Sequence, residues 1–171
     1  MAQTKRVSRT LNLPIDQVRE IVTSEAFLLT KENMVEAGDS WLDEGVREVE
    51  ADGTVRAGVD LVRPAQEEAG VPEMRTHQDT KISPLVAEGV GRAFALESAL
   101  PLPGNIGEVT TRYRFAEGGS GLGRTAAATE VEAVVTVNCK MPFVGKKIEN
   151  SIMENTEKTV DSSLERIRRF S

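Results

Sequence analysis

Aromatic side chains are scarce in this chain of 171 residues, where Phe, Trp and Tyr make up 4% and include a single Trp41 and a single Tyr113. Few bulky rings are on hand to plug the space under a curved sheet, so small and aliphatic residues must do the filling. Cysteine is nearly absent: Cys139 stands alone, which rules out an internal disulfide and fits a reducing compartment. With one histidine, His77, there is also no Cys or His cluster to hold zinc, and neither a metal nor a cofactor is expected. Nowhere does the chain hold the roughly 20 consecutive apolar residues of a helical membrane span. Its opening "MAQTKRVSRTLNLP" is basic but has no apolar stretch of the secretory kind, so the expected location is cytoplasmic. A concentrated basic face is missing too. The 21 Lys and Arg are outnumbered by 27 Asp and Glu, giving a formal net charge of -6, which argues against nucleic acid as a partner.

What remains is the composition of an ordinary folded protein, with 39% hydrophobic and 28% charged residues and with 14 Gly and 7 Pro. The length predicts one domain over residues 1–171, large enough to bury a sizeable core. Residues 4–13, "TKRVSRTLNL", read as a first strand ended by Pro14. Ile15, Val18, Ile21 and Val22 then recur at helical spacing, with Pro14 suited to the first turn. Ser24 is placed to cap a second short helix that turns Phe27 and Leu28 inward.

From Trp41 to Arg63 the period changes to two, and "ADGT" at 51–54 carries the Asp-Gly pair of a tight hairpin. Val55, Ala57, Val59 and Leu61 share one face and Thr54, Arg56 and Asp60 the other, as in a sheet covered on one side. Residues 64–91 mix prolines, glycines and periods and predict irregular structure with at most a short strand or helix. Strands resume at "RAFALESAL". In "EVTTRYRFA" Val109, Thr111, Tyr113 and Phe115 alternate with polar residues, and in "TAAATEVEAVVTVNCK" Val131, Ala133, Val135, Val137 and Cys139 form the apolar face.

Residues 144–170 predict a long amphipathic helix. At about 100° per residue, Ile148, Ile152, Thr156, Val160, Leu164, Ile167 and Phe170 fill one sector. Glu149 falls near the middle of it. A carboxyl on a buried face must be paired, hydrogen-bonded or protonated. It therefore reads either as a polar anchor or acid–base group for a ligand, or as a structural group favoured by the helix dipole or paired with a cation such as Arg9.

Other polar features are weaker. Tyr113 on an inner face can offer its hydroxyl to a ligand or satisfy a backbone group in the core. His77 has no Ser or Cys nucleophile signature near it and reads as exposed. "GGSGLG" at 118–123 has the look of a phosphate-cradling loop, but a strand follows where a helix is needed, so it reads as a hairpin link. The carboxylates of "GDSWLDEG" lack calcium-loop spacing, and Trp41 among them reads as a core anchor or a rim residue.

The order is strand, two short helices, a run of antiparallel strands and one long carboxyl-terminal helix: an α+β chain whose curved sheet of about six strands grips that helix. This order resembles the helix-grip fold of the START-like superfamily of polyketide cyclases, pollen-allergen-like proteins and lipid-transfer domains. Pro142, Gly145, Ile148 and Glu149, between the last strand and the long helix, resemble the pattern of the uncharacterised domain-of-unknown-function family 2505. The resemblance implies a cavity between sheet and helix, lined by residues such as Glu149, Tyr113, Thr111, Ala133, Val135, Ile152 and Thr156. The partner it implies is a small hydrophobic or lipid-like molecule. Three function classes stay open: a carrier of that molecule, a cyclase or hydratase using Glu149 and Tyr113 to move protons, and a protein-interaction module with a filled core.

Overall fold

The computed structural model describes residues 2–29, 41–70, 72–89, 91–118 and 128–171, apart from the side chains of Trp41 and Pro103. Along the chain come β1 (Gln3–Leu11), α1 (Ile15–Thr23), α2 (Glu25–Leu29), β2 (Trp41–Val49), β3 (Val55–Arg63), β4 (Met74–Ile82), β5 (Val86–Glu88), β6 (Gly91–Pro101), β7 (Gly107–Glu117), β8 (Thr129–Cys139) and α3 (Val144–Arg169). The strands form one antiparallel sheet in the order β1-β8-β7-β6-β4-β3-β2, with β5 added beside β6. The expected α+β helix-grip arrangement is the one adopted. Among the described residues no helix is long and apolar enough to cross a membrane.

Eight strands replace the six expected, because residues 64–91 hold β4 and β5. Hydropathy is silent there for a physical reason. Every second residue of a half-buried strand is normally apolar, but β4 turns Thr76, Gln78 and Thr80 to the side that Leu61, Val59 and Ala57 occupy on β3. Only Ile82 at its end is buried. Thr54 differs too: expected on the wet face, it is 4% exposed, at the foot of the hairpin where its N–H donates to the Asp52 carboxylate at 2.9 Å. The "GGSGLG" loop beyond Gly118, the first part of "GDSWLDEG" and the Trp41 side chain lie outside the described residues.

Local chemistry sets the ends of the helices. Pro14 precedes α1, and its carbonyl accepts the Val18 N–H at 3.0 Å. The Ser24 hydroxyl accepts the Phe27 N–H at 3.1 Å, the cap expected for α2. Just after β1, the buried Thr129 hydroxyl donates to the Leu13 carbonyl at 2.7 Å, pinning the start of β8 under the turn into α1. The main core runs from α1 and α2 through β1, β8, β7 and β6 to the last turns of α3, where Val160, Leu164 and Ile167 are buried.

Candidate ligand-binding cavity

The long helix divides the inner face of the sheet into two regions. One is a closed seam, where α3 lies against β8 and β1. Here Val7 and Ala133, paired across the ladder, are 3% and 0% exposed, and Val137 is 0% exposed. The seam is fixed at Cys139. Gly145 sits so close to that residue that an added Cβ would stand 3.2 Å from its sulfur. Four residues later the buried Glu149 turns back onto the same place, and its Oε1 accepts the Cys139 N–H at 3.0 Å. Its Oε2 accepts from the Gln3 side-chain amide at 3.3 Å. The glycine permits the approach and the carboxyl satisfies the backbone group that the approach takes from water. Further along, Lys5 donates to the Met153 carbonyl at 3.4 Å. Arg9 pairs with Asp161 at 2.8 Å and with Glu157 at 3.8 Å, so it is not the partner of Glu149.

The other region is a recess of about 360 Å³, partly open to solvent, over β7, β6, β4, β3 and β2. Its volume falls in the range of small-molecule pockets. The floor shows why it stays empty. Thr80, Ser98 and Thr111 pair in one row across β4, β6 and β7, and Ala57 continues that row on β3. These side chains are short, and their hydroxyls leave a hydrogen-bonding stripe across the recess. Apolar residues flank the stripe: Leu96, Leu100, Val109 and Tyr113 on β6 and β7, and Val59 and Leu61 on β3. The roof is Phe27 and Leu28 of α2 with Thr159, Ser163, Arg166 and Ile167 of α3.

Tyr113 and Arg166 are the titratable groups among these described walls. The Arg166 guanidinium lies 3.8 Å from the centre of the Phe27 ring and donates to the Phe27 carbonyl at 2.8 Å. Phe27 is held in turn by Phe170, edge to face at 5.6 Å. Across the recess Tyr113, Phe115 and Phe94 stack, with centroid separations of 6.0 and 4.8 Å. Phe27, Tyr113 and Phe115 thus stand as walls of the recess, with Phe94 and Phe170 packed against them.

Of the seven residues expected to line a cavity, Thr111 and Tyr113 stand on the walls of this recess. Ala133 and Val135 are the ladder partners of Tyr113 and Thr111 one strand further on, buried on the seam side. Thr156 is buried and donates its hydroxyl to the Ile152 carbonyl at 2.9 Å, while Ile152 is half-buried. Glu149 is in the seam. Gln78 and Thr80 carry no signal in the sequence, because their strand lacks apolar alternation. Thr159, Ser163 and Arg166 do carry one, since at about 100° per residue all three fall inside the apolar sector that holds Glu149. Polar residues within that sector were the available signal.

Arg166 apart, the described charged side chains lie outside the recess. A furrow of about 1140 Å³ crosses the outer face of the sheet, lined in large part by exposed charged side chains, several of them paired with one another, as in Arg6–Glu132 at 3.0 Å and Arg112–Glu97 at 3.5 Å. On the same face His77 bridges Asp60 at 2.7 Å and Asp79 at 3.0 Å, and hydrogen bonds to these carboxylates raise its pKa above the ordinary imidazole value. Near the start of α1, Arg92 binds both oxygens of Asp16 and also Glu117, at 2.7 Å to each residue. These hydrogen bonds hold both carboxyls below the usual range.

A curved antiparallel sheet closed on one side by a long carboxyl-terminal helix, with a recess left on the other, is the helix-grip fold. Within that class, residues 6–170 match the family described as a protein of unknown function, DUF2505, and the chain belongs to it. No curated protein matches the sequence. Among solved structures, Ara h 8.0201 is similar with a TM-score of 0.55 at 10% identity, covering 99% of this chain and 97% of its own. A START superfamily protein from Mycobacterium smegmatis gives 0.52 at 14% identity, covering 98% and 99%. The Zhui aromatase/cyclase from Streptomyces sp. R1128 gives 0.50 at 13%, covering 99% and 95%. At these identities the likeness is one of fold.

Proposed function

We propose that this protein binds and carries a small amphipathic or lipid-like molecule in the recess between the sheet and α3, without chemical conversion. The observation that carries this reading is the composition of the walls. Leucine, valine and aromatic surfaces surround a row of neutral hydroxyls, Thr80, Ser98 and Thr111, with Gln78 beside them. Such a lining rewards burial of an apolar body and orients it by a few neutral hydrogen bonds. A cyclase or hydratase needs a group that takes up a proton near neutrality, and the described walls carry no carboxylate, imidazole or lysine amine. One domain, a cytoplasmic setting and a hydrophobic partner complete the proposal.

Titration with the neutral fluorescent probe phenylnaphthylamine tests it. Wild-type protein should enhance the probe's emission saturably. The double variant Ser98→Leu/Thr111→Leu, which fills the floor with aliphatic bulk, should weaken binding about tenfold or more while keeping its circular dichroism spectrum. Equal binding by both proteins, or none by either, would overturn the proposal.

A further inference from the structure

The turn between β8 and α3 places an aromatic ring where one is least expected. Phe143 is 97% exposed, with Met141 and Val144 beside it at 41% and 51%. The chain has five phenylalanines. Phe27, Phe94 and Phe115 are buried and Phe170 is half-buried, so this one alone stands fully in water. Its backbone is also unusual. At φ 66° and ψ -57°, with the Val144 N–H donating to the Pro142 carbonyl at 2.8 Å, it forms a γ-turn of the rare strained hand. Glycine would adopt that conformation at little cost, whereas a phenylalanine there is strained as well as exposed.

The surroundings are cationic. Lys140, Lys146 and Lys147 flank the turn, all exposed, and none makes an ion pair among the described residues. Of the carboxyls close by, Glu149 is buried and bonded to the Cys139 N–H, and Glu108 lies on the outer face, opposite Asn138 in the ladder. The Lys140 N–H donates to the Ile106 carbonyl at 2.6 Å, which ties the turn to the β6–β7 connection with its half-buried Leu102 and Ile106. The result is an exposed apolar tip with three exposed lysines within four residues of its ring.

We infer that this tip docks on an anionic phospholipid surface, with Phe143, Met141 and Val144 entering the boundary between headgroups and acyl chains and the three lysines meeting lipid phosphates. An exposed tip, unlike a groove, suits a soft planar surface, and apolar side chains with lysines close by in the chain match the two attractions that an anionic bilayer offers. The net charge of -6 does not prevent this, because salt screens charges more than about 8 Å away and leaves the local lysines facing the lipid. The inference rests on this turn alone and holds whether or not the recess takes a guest.

Co-sedimentation with vesicles tests it. The protein should pellet with vesicles of equimolar phosphatidylcholine and phosphatidylglycerol, far less with phosphatidylcholine alone, and less as salt rises. Phe143→Gly suits the backbone and should keep or raise the melting temperature while lowering partitioning about tenfold. Each of Lys140→Ala, Lys146→Ala and Lys147→Ala should lower it about fivefold. Undiminished partitioning of Phe143→Gly, equal binding to neutral vesicles, or no binding to anionic ones would overturn the inference. So would a dimer in sedimentation velocity that Phe143→Gly dissolves, since the tip would then cover a second copy. Loss of vesicle binding with phenylnaphthylamine binding intact would remove this inference alone.

Discussion

The inner faces of β8 and β4 lie in the same sheet and end differently. On β8 every second residue from Thr129 to Cys139 is buried, and α3 covers the strand. On β4 the corresponding residues are Thr76, Gln78 and Thr80, half-buried, with the recess above Gln78 and Thr80. The helix is one rod of 26 residues in both cases, so the helix does not decide the outcome. Side-chain chemistry does. Aliphatic residues gain by contact with the helix and draw it onto β8 and β1, whereas hydroxyls and an amide gain little from apolar contact and leave room. The helix surface is divided in the same way: Val160 and Leu164 are buried, while Thr159 and Ser163, one position before each, face the recess.

Leu164→Ala should give the largest effect, because its side chain is 1% exposed and surrounded by core. We expect a loss of about 2–5 kcal/mol in urea unfolding. Leu100→Ala, on a wall already bordered by empty space, should cost under about 1 kcal/mol. Equal costs would erase the contrast between the two regions. Next, Glu149→Ala should cost about 1–3 kcal/mol by stranding the Cys139 N–H, with Glu149→Gln recovering most of it. Neither should move phenylnaphthylamine affinity by more than about twofold if the residue belongs to the seam.

Arg92→Ala acts outside both regions and should lower the melting temperature modestly at neutral pH. Asp16 and Glu117 have folded-state pKa values held below their ordinary ones by Arg92. The stability they add is present above the ordinary carboxyl range and is lost as pH falls through the lowered values. The gap between wild type and variant should therefore narrow in acid, and a constant gap would show that the carboxyls add nothing. His77 gives the smallest effect. Its pKa is raised, so the stability it adds is complete below the ordinary imidazole value and lost as pH rises through the folded-state one. In an NMR titration Asp60→Asn should bring the His77 midpoint down and leave probe binding unchanged.

The seam was easier to read from the sequence than the recess, and the reason is the same chemistry. Val131, Ala133, Val135, Val137 and Cys139 alternate with polar residues and declare a strand with a buried face. The helix sector of Val160, Leu164 and Ile167 is equally plain. Periodicity depends on contrast between faces, and β4 has none, so a strand central to the recess read as irregular. Glu149 stood out as an anomaly, but its partner is a backbone N–H on a strand end, which no side-chain pattern marks. Gly145 and Glu149 also belong to the family pattern at the start of the helix. The structure shows both meeting Cys139, where the long helix is set against the sheet.

Methyl-resolved NMR during phenylnaphthylamine titration compares the two regions in one experiment. The account predicts saturable shifts at Leu61, Leu96, Leu100 and Val109, with Val131, Val137 and Leu164 unmoved. Shifts centred on the seam, or on Val46 and Val134 of the outer face, would contradict it.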